Sequence, residues 1–278
     1  MIIQKKAYAK INLYLRILDK RPDGYHNIYT VMQKISLCDD IKININQSKE
    51  QNINIICSDK NIPTDKSNTV YKAADLYCKR LNISTDITII TIEITKKIPS
   101  QSGLGGGSSD AAAVLLGLNE YFDFALPEKD LIKIAAKIGA DVPFFVKNLN
   151  CAICEGIGEI VTPVNFDMNL SELFCLIVKP VYNISTKQAY DDWDKAGTKQ
   201  VREALIHNDF AELIFSQNKN IHEIKEFLLK SKAIAAELSG SGSALFGIFS
   251  DFNNAENIKN ILNQKNDIEF CDIFDFMC

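Results

Sequence analysis

Residues 98–118 read IPSQSGLGGGSSDAAAVLLGL, and this stretch governs how the rest of the chain is read. Gly103, Gly105, Gly106 and Gly107 come first, then Ser108 and Ser109, then an apolar run that predicts a buried helix over 108–122. Glycines take positive φ and let a ligand approach without a Cβ in the way. The helix that follows offers unpaired N–H groups and the positive end of its dipole. Together these make an anion site suited to phosphate. Ser108 and Ser109 could cap the helix, or offer hydroxyls to phosphate or to a metal-bound water. A flexible loop that merely caps a helix is the plainer alternative, but three adjacent glycines are costly for a simple connection. Asp110 falls in the first helical turn, where a carboxylate suits the dipole but repels phosphate. Dipole compensation is the simpler account of it, and a cation between it and the ligand is the other. Walker A is excluded because no lysine precedes Ser108. The Rossmann pattern fails because Ser108 stands three places after Gly105. The G-x-S-x-G elbow of hydrolases is also missing.

Working outward, the first half mixes strands and helices. Residues 6–18 alternate as a strand, with Lys10 and Asn12 on one face and Ala9, Ile11 and Leu13 on the other. RPDGYH at 21–26 is a turn, punctuated by Pro22 and Gly24. Isoleucine-rich strands are predicted at 41–45, 53–56 and 87–94, and helices at 67–81 and 128–138, the latter stopped by Gly139. The second half has a strand at 173–178 and helices at 186–195, 201–215 and 222–230. A strand–glycine loop–strand unit then covers ELSGSGSALFGIF, before a helix at 253–263 and a strand at 268–274. Alternation of this kind predicts an α+β chain with helices on one face of a mainly antiparallel sheet. A polar break at 161–170, carrying Pro163, Asn165, Asp167 and Asn169, marks the expected domain boundary.

Composition narrows the classes of function. The chain has 278 residues, enough for one large or two ordinary domains and a core without staples. Lys plus Arg total 31 against 35 Asp plus Glu, a formal charge of -4, which disfavours a general nucleic-acid binder. The longest apolar runs, such as 111–118, fall far short of the ~20 residues that cross a bilayer. MIIQKKAYAKINLYL reads as a first strand and not as a signal peptide, because Lys10 and Asn12 interrupt the apolar run. The expected location is therefore cytoplasmic, with the 8 cysteines reduced. Cys151 and Cys154 stand in a CAIC strand, where they face opposite ways and are expected to be buried and inert. His26, His207 and His222 are too scattered for a metal cluster.

Three separated segments then converge: AKINLYL at 9–15, PSQSGLGGGSS at 99–109 and LSGSGSALF at 238–246. Their order and spacing resemble the three motifs of the GHMP kinases. RPDGYH at 21–26 and GADVPFF at 139–145 narrow the resemblance to the 4-diphosphocytidyl-2-C-methyl-D-erythritol kinases of the non-mevalonate isoprenoid route. The resemblance spans essentially the whole chain. It implies a two-domain α+β GHMP kinase fold, with a ribosomal-protein-S5-like N-terminal domain over 1–160 that binds ATP and a ferredoxin-like C-terminal domain over 161–278. It also implies an ATP- and Mg²⁺-dependent kinase with a small-molecule substrate, no nucleic acid, no membrane and no obligate protein partner. Two departures stand out. Ser100, Gln101 and Ser102 replace a run that the family commonly fills with glycine and methionine, and the G-x-G-E strand at 156–159 lacks its usual arginine.

Carried over position by position, the resemblance assigns roles. Asp141 is the expected base, presented from a turn that Pro143 keeps from resuming as a helix, beside Val142, Phe144 and Phe145; a turn cap is the alternative. Lys10 is the matching cation, and Asn12 could orient it or the acceptor hydroxyl. Tyr25 could stack on cytosine and His26 bond its edge, with Tyr190 on the opposite side of the base; Tyr190 could equally be a core residue of its helix. ATP would be held by Asn68, Lys96, Pro99, Gly103, Leu104, Gly105, Gly106, Gly107, Ser108 and Ser109, and by Gly240, Ser241 and Gly242 of the third motif. No protein ligand for Mg²⁺ can be assigned. Competing readings are a GHMP kinase for homoserine, mevalonate or a sugar, a nucleotide or sugar sensor on the same fold, and an RNA-binding domain. The DGYH turn speaks against the first, retention of both Lys10 and Asp141 against the second, and the negative charge against the third.

Overall fold

A computed structural model describes residues 2–47, 52–83, 88–164, 169–197 and 204–278. Two long strands, β1 (Ile2–Lys20) and β2 (His26–Gln47), form an antiparallel hairpin around the 21–26 turn. β3 (Asn52–Cys57), helix α1 (Thr69–Arg80) and β4 (Thr88–Thr95) make a parallel crossover. Helices α2 (Gly106–Tyr121), α3 (Glu128–Ile138) and α4 (Val142–Val146) follow, then the hairpin β5 (Cys151–Gly156) and β6 (Ile160–Pro163). β2 is long enough to serve two neighbours: residues 28–33 pair with β5 and residues 40–47 pair with β4.

The second half opens with a 3-10 turn and β7 (Phe174–Pro180), then α5 (Thr186–Ala196), the short β8 (His207–Asn208), α6 (Phe210–Gln217) and α7 (Lys219–Lys230). The hairpin β9 (Ala235–Leu238) and β10 (Leu245–Phe249), helix α8 (Phe252–Leu262) and β11 (Ile268–Asp275) close the chain. β7, β9, β10 and β11 make an antiparallel sheet in the order β11-β7-β10-β9. With helices between β7 and β9 and between β10 and β11, this is the ferredoxin-like succession.

Burial orders the parts into four layers. Helices α1 to α4 cover one face of the first sheet, through Tyr77, Leu115, Leu118 and Phe144 against Ile41, Ile43, Ile90 and Ile92. The other face, with Ala9, Ile11, Leu13 and Ile35, packs on Cys175, Ile177, Phe246 and Ile248 of the second sheet. Helices α5 to α8 cover the far side of that sheet. The alternation of β1 is thus used twice in its middle stretch: Ala9, Ile11 and Leu13 build the sheet-on-sheet core, and Lys10 and Asn12 face the helices, whereas Ile3 and Ala7, before the register shift at Tyr8/Lys10, pack on the helix side. Ties cross the expected boundary. β6 straddles residue 160, β8 pairs with β1, and Phe276 bridges Ile35. No helix among the described residues is long and apolar enough to cross a membrane.

Three expectations change. β2 starts at His26 and not near 41, because the buried polar residues Thr30, Gln33, Lys34 and Asp39 hide its alternation. Pro143 does not stop a helix but sits in the first turn of α4, where it has no i−4 bond to lose. The predicted 201–215 helix begins only at Phe210. His207 and Asn208 pair instead with Tyr14 and Leu15, and Asp209 accepts a hydrogen bond from the Ile17 N–H. Residues 165–168 of the polar break and 201–203 of that helix lie outside the described residues.

Candidate active site

The glycine loop is held from three sides. Gly103 and Gly105 have φ of +76° and +74°, and Gly105 is the N-cap of α2 without a side-chain cap bond. The N–H groups of Gly106, Gly107 and Ser108 have no partner among the described residues, as the start of a helix requires. A Cβ on Gly107 would meet only Thr69 Oγ1, at 3.5 Å, whereas one on Gly106 would crowd Ile98 at 3.0 Å, so the loop is open on its Gly107 side. A Cβ on Gly103 would stand 2.0 Å from the Ser239 carbonyl oxygen, and one on Gly105 3.1 Å from Lys10 Cγ. Glycine is obligatory at both, to admit the third motif and the lysine stem. Leu104 is buried, and its carbonyl accepts from the Lys10 N–H at 2.9 Å. Ser109 is buried too, so of the two serines only Ser108 stands near the open end.

The third motif packs against this loop. Gly240, Ser241 and Gly242 are buried; Ser239 Oγ donates to the Gly103 carbonyl at 3.1 Å, and the Ala244 N–H to the Ser102 carbonyl at 3.1 Å. Asn208 Nδ2 donates to the carbonyls of Leu238 and Gly240, and the Ser241 and Thr186 hydroxyls pair at 2.9 Å. Asn208 and Thr186 carried no signal in the sequence, since isolated polar residues match no motif.

Lys10 and Asp141 meet beside the loop. Lys10 Nζ lies 3.4 Å from Asp141 Oδ2 and donates to Asn12 Oδ1 at 2.6 Å. Asn12 Nδ2 donates to Thr30 Oγ1 at 2.7 Å, and Thr30 donates on to the Tyr14 carbonyl. Lys10, Asn12 and Thr30 are all buried, so each polar atom has to be satisfied internally, and the relay fixes the ammonium. Asp141 precedes α4 but makes no side-chain cap bond there, and its carboxylate is partly exposed. The turn-cap alternative is therefore not what the side chain does. Ser108 Oγ lies 3.8 Å from where a Gly139 Cβ would stand, which puts that hydroxyl next to the Asp141 turn. Cys154 faces the same region, but burial pushes its thiol up to about 12, so it is no thiolate at neutral pH.

On the opposite flank, the His26 ring stacks on Tyr190, with centroids 4.9 Å apart and planes 14° apart. Phe210 meets the Tyr190 ring edge-on. Burial raises the Tyr190 hydroxyl, and the charge of Asp141 adds to the effect, which places this aromatic pair within reach of the Asp141 charge. Tyr25 is 61% exposed at the tip of the hairpin, and it is His26, not Tyr25, that covers Tyr190. His26 Nε2 donates to Asp194 Oδ1 at 2.7 Å, and Lys20 pairs with Asp194 Oδ2. Asp194 was legible in principle: it follows Tyr190 by four residues, hence on the same face of α5.

Two of the expected nucleotide residues are committed elsewhere by their side chains. Asn68 caps α1 by accepting from the Val70 N–H at 2.8 Å, and its Nδ2 donates to the Pro63 carbonyl. Lys96 is clamped between Asp39 and Asp110, its side chain only 8% exposed. Asp110 is thus the partner of a buried cation and does not serve the helix dipole; α2 starts at Gly106, which puts Asp110 beyond its first turn. Burial raises the Asp110 carboxyl to about 7, with Lys96 opposing and Asp39 reinforcing, and one of its oxygens has no hydrogen-bond partner. A cavity of about 500 Å³ opens beside this cluster, lined by Ser58, Asp59, Asn61, Lys96, Pro99 and Gln101. Among the described residues, no group of three or more His, Cys, Asp and Glu could cage a metal.

The chain matches the family described as GHMP kinases N terminal domain over residues 68–148, and GHMP kinases C terminal over residues 199–268. It is 39% identical over 277 residues to 4-diphosphocytidyl-2-C-methyl-D-erythritol kinase of Clostridium tetani, covering 94% of this chain and 95% of that one. The kinase of the same name from Caldicellulosiruptor bescii is 40% identical over 267 residues, 90% of each chain. A crystal structure of 4-(cytidine 5'-diphospho)-2C-methyl-D-erythritol kinase superposes with a TM-score of 0.78 at 25% identity, over 98% of this chain and 99% of that one. Mevalonate kinase of Methanococcus jannaschii, at 16% identity and a TM-score of 0.69, shares the fold. The expected two-domain α+β architecture is the one observed, and the chain belongs to the 4-diphosphocytidyl-2-C-methyl-D-erythritol kinases within the GHMP kinases.

Proposed function

We propose that the chain transfers the γ-phosphoryl group of ATP to the 2-hydroxyl of 4-diphosphocytidyl-2-C-methyl-D-erythritol, with Lys10 and Asp141 at the reacting centre. The observation that carries this is the 3.4 Å pairing of Lys10 Nζ with Asp141 Oδ2 at the open end of a glycine loop. Asp141, partly exposed and spent on no cap, accepts the proton of the acceptor hydroxyl. The hydroxyl oxygen bonds to the γ-phosphorus as the bridge to the β-phosphate breaks, leaving ADP. Lys10, held by Asn12 and Thr30, pairs with the carboxylate and meets the negative charge that develops on the acceptor oxygen. The free N–H groups of Gly106, Gly107 and Ser108 bind phosphate oxygens at the positive end of α2.

The nucleoside of ATP would occupy the cavity beside Lys96 and Pro99. Asn68 contributes by fixing the start of α1, whose Thr69 hydroxyl donates to the Gly107 carbonyl at 2.8 Å. Mg²⁺ would arrive with ATP and neutralise phosphate charge; Ser108 Oγ and the Asp141 carboxylate are oxygen donors of the kind it takes. His26, Tyr190 and Tyr25 would receive the cytosine. We place the division of labour near residue 160, with 1–160 carrying the nucleotide and base and 161–278 closing the cleft. The free thiols of all eight cysteines suit a reducing cytoplasm.

The test is incubation with ATP, Mg²⁺ and the cytidylylated substrate beside mevalonate and homoserine, following the new phosphomonoester by phosphorus NMR. The expected product forms only with the first. Asp141→Asn and Lys10→Ala should each lower kcat at least ~100-fold, the low end for a lost base or charge donor. Near-normal turnover by either folded variant would end the assignment.

A further inference from the structure

Asp194 belongs to no motif, yet it holds the one ring nitrogen of His26 that has a partner among the described residues. A carboxylate can only accept, so the 2.7 Å contact requires a proton on His26 Nε2. In the neutral imidazole Nδ1 is then an acceptor. No described residue hydrogen-bonds to Nδ1, and Nδ1 is not among the sealed, unsatisfied atoms of the interior. Lys20 bonds the other Asp194 oxygen and, with His26 after it, holds that carboxyl below the ordinary carboxylate range. Tyr190 fixes the plane of the ring by stacking. Tautomer and orientation are thus both set from α5.

We propose that Asp194 is a specificity-determining positioning residue: by fixing the Nε2–H tautomer of His26 it leaves Nδ1 as an acceptor that selects a base with an exocyclic amine, cytosine, over its keto counterpart, uracil. This rests on the cytidylylated substrate proposed above. Cytosine presents an N4–H₂ donor at the position where uracil presents an O4 acceptor, and only the donor can satisfy Nδ1. A mismatched acceptor leaves both groups unpaired, so discrimination exceeds the gain of one hydrogen bond.

The arrangement predicts what an isosteric change does. In Asp194→Asn the amide has one acceptor and one donor end. Lys20, a donor only, claims the oxygen, which turns the NH₂ toward Nε2. Nε2 must then accept, the ring proton moves to Nδ1, and the recognition group becomes a donor. The experiment compares kcat/KM for cytidine diphosphate-linked and uridine diphosphate-linked methylerythritol. The ratio should fall at least about tenfold in D194N, the low end for one base contact, through KM rather than kcat. Adding Lys20→Met frees the amide to rotate and should restore most of the ratio. A strap that merely tied the hairpin to α5 would lower both substrates alike; an unchanged ratio in D194N overturns the proposal. Should D194N not fold, the ¹⁵N shifts of His26 in the unaltered protein decide, because a proton on Nδ1 contradicts it. Failure of the unaltered protein to phosphorylate the cytidine substrate would instead overturn the proposed function, and the inference with it.

Discussion

Replacing Lys34 by methionine should stabilise the protein. Lys34 is 3% exposed, and its ammonium donates only to Asn148 Oδ1, at 3.0 Å, with the Phe144 ring 5.8 Å away. No carboxylate pairs with it among the described residues, and its neighbour across the β1–β2 ladder is another cation, Lys10. Burial accordingly pushes its ammonium down from 10.5 to about 8. At about 1.4 kcal/mol for each tenfold change, that fall is worth roughly 3 kcal/mol against the charged form. The sign follows from linkage: the folded chain binds this proton more weakly than the unfolded chain. The cost is fully present below pH 8, and it fades as pH rises from about 8 to 10.5. Methionine keeps the length of the stem and removes the charge, and exposed Asn148 can turn to water. Lys34→Met should gain on the order of 1–3 kcal/mol at pH 7 and little at pH 10. Urea denaturation at both pH values measures it. A variant less stable at pH 7 than the parent, with the parent's pH slope retained, would refute the reasoning.

Other outcomes follow from single residues. Gln101 sits at φ +51° without being glycine, so Gln101→Gly should raise stability by roughly 0.5–1 kcal/mol in thermal unfolding; a loss would show that its side chain is doing more than tolerating strain. Gly103→Ala puts a methyl 2.0 Å from the Ser239 carbonyl oxygen and should cost at least ~3 kcal/mol along with ATP affinity, read by denaturation and nucleotide titration. The carboxyl of Asp110 is raised, so the cost of ionising it appears as pH climbs from about 4 to about 7. Asp110→Asn should therefore gain on the parent across that window, and parallel pH–stability curves would contradict it.

The site was legible where chemistry and chain neighbourhood coincide. Gly103 to Ser109 are contiguous, and their composition states a backbone requirement that the positive φ values at Gly103 and Gly105 then meet. Lys10 and Asn12 were legible because a strand of period two gives both one face. What escaped was long-range. Asn208 and Thr186 act through partners 30 and 55 positions away, and no local pattern records such pairs; the spacing of Asp194 to Tyr190 was local, but its partner His26 lies 168 positions away. β2 escaped for a related reason: its buried Thr30 serves the site, its buried Asp39 serves the Lys96 cluster and its buried Lys34 bonds Asn148, so its first half lacks the alternation by which strands are recognised.

The third motif shows what such long-range pairs accomplish. Ser239 to Ser243 are buried, with Ser239 bonded to Gly103 and the adjoining Ala244 to Ser102, so this loop cannot reach over an open cleft as a mobile flap would. It acts on the glycine loop from below, by fixing the backbone whose next residues present the N-terminal N–H groups of α2. Gly240 also approaches Asn12 Oδ1, since a Cβ there would lie 3.5 Å from it, and Asn12 holds the Lys10 ammonium. One buried loop of the second half therefore sets both the N-terminal N–H groups of α2 and the Lys10 ammonium of the first. Because the contact is backbone against backbone, with no slack for a methyl at Gly103, the two motifs can be met only together. The anion site and the Lys10–Asp141 pair should thus assemble when the two sheets pack, and not when the N-terminal sheet alone has formed.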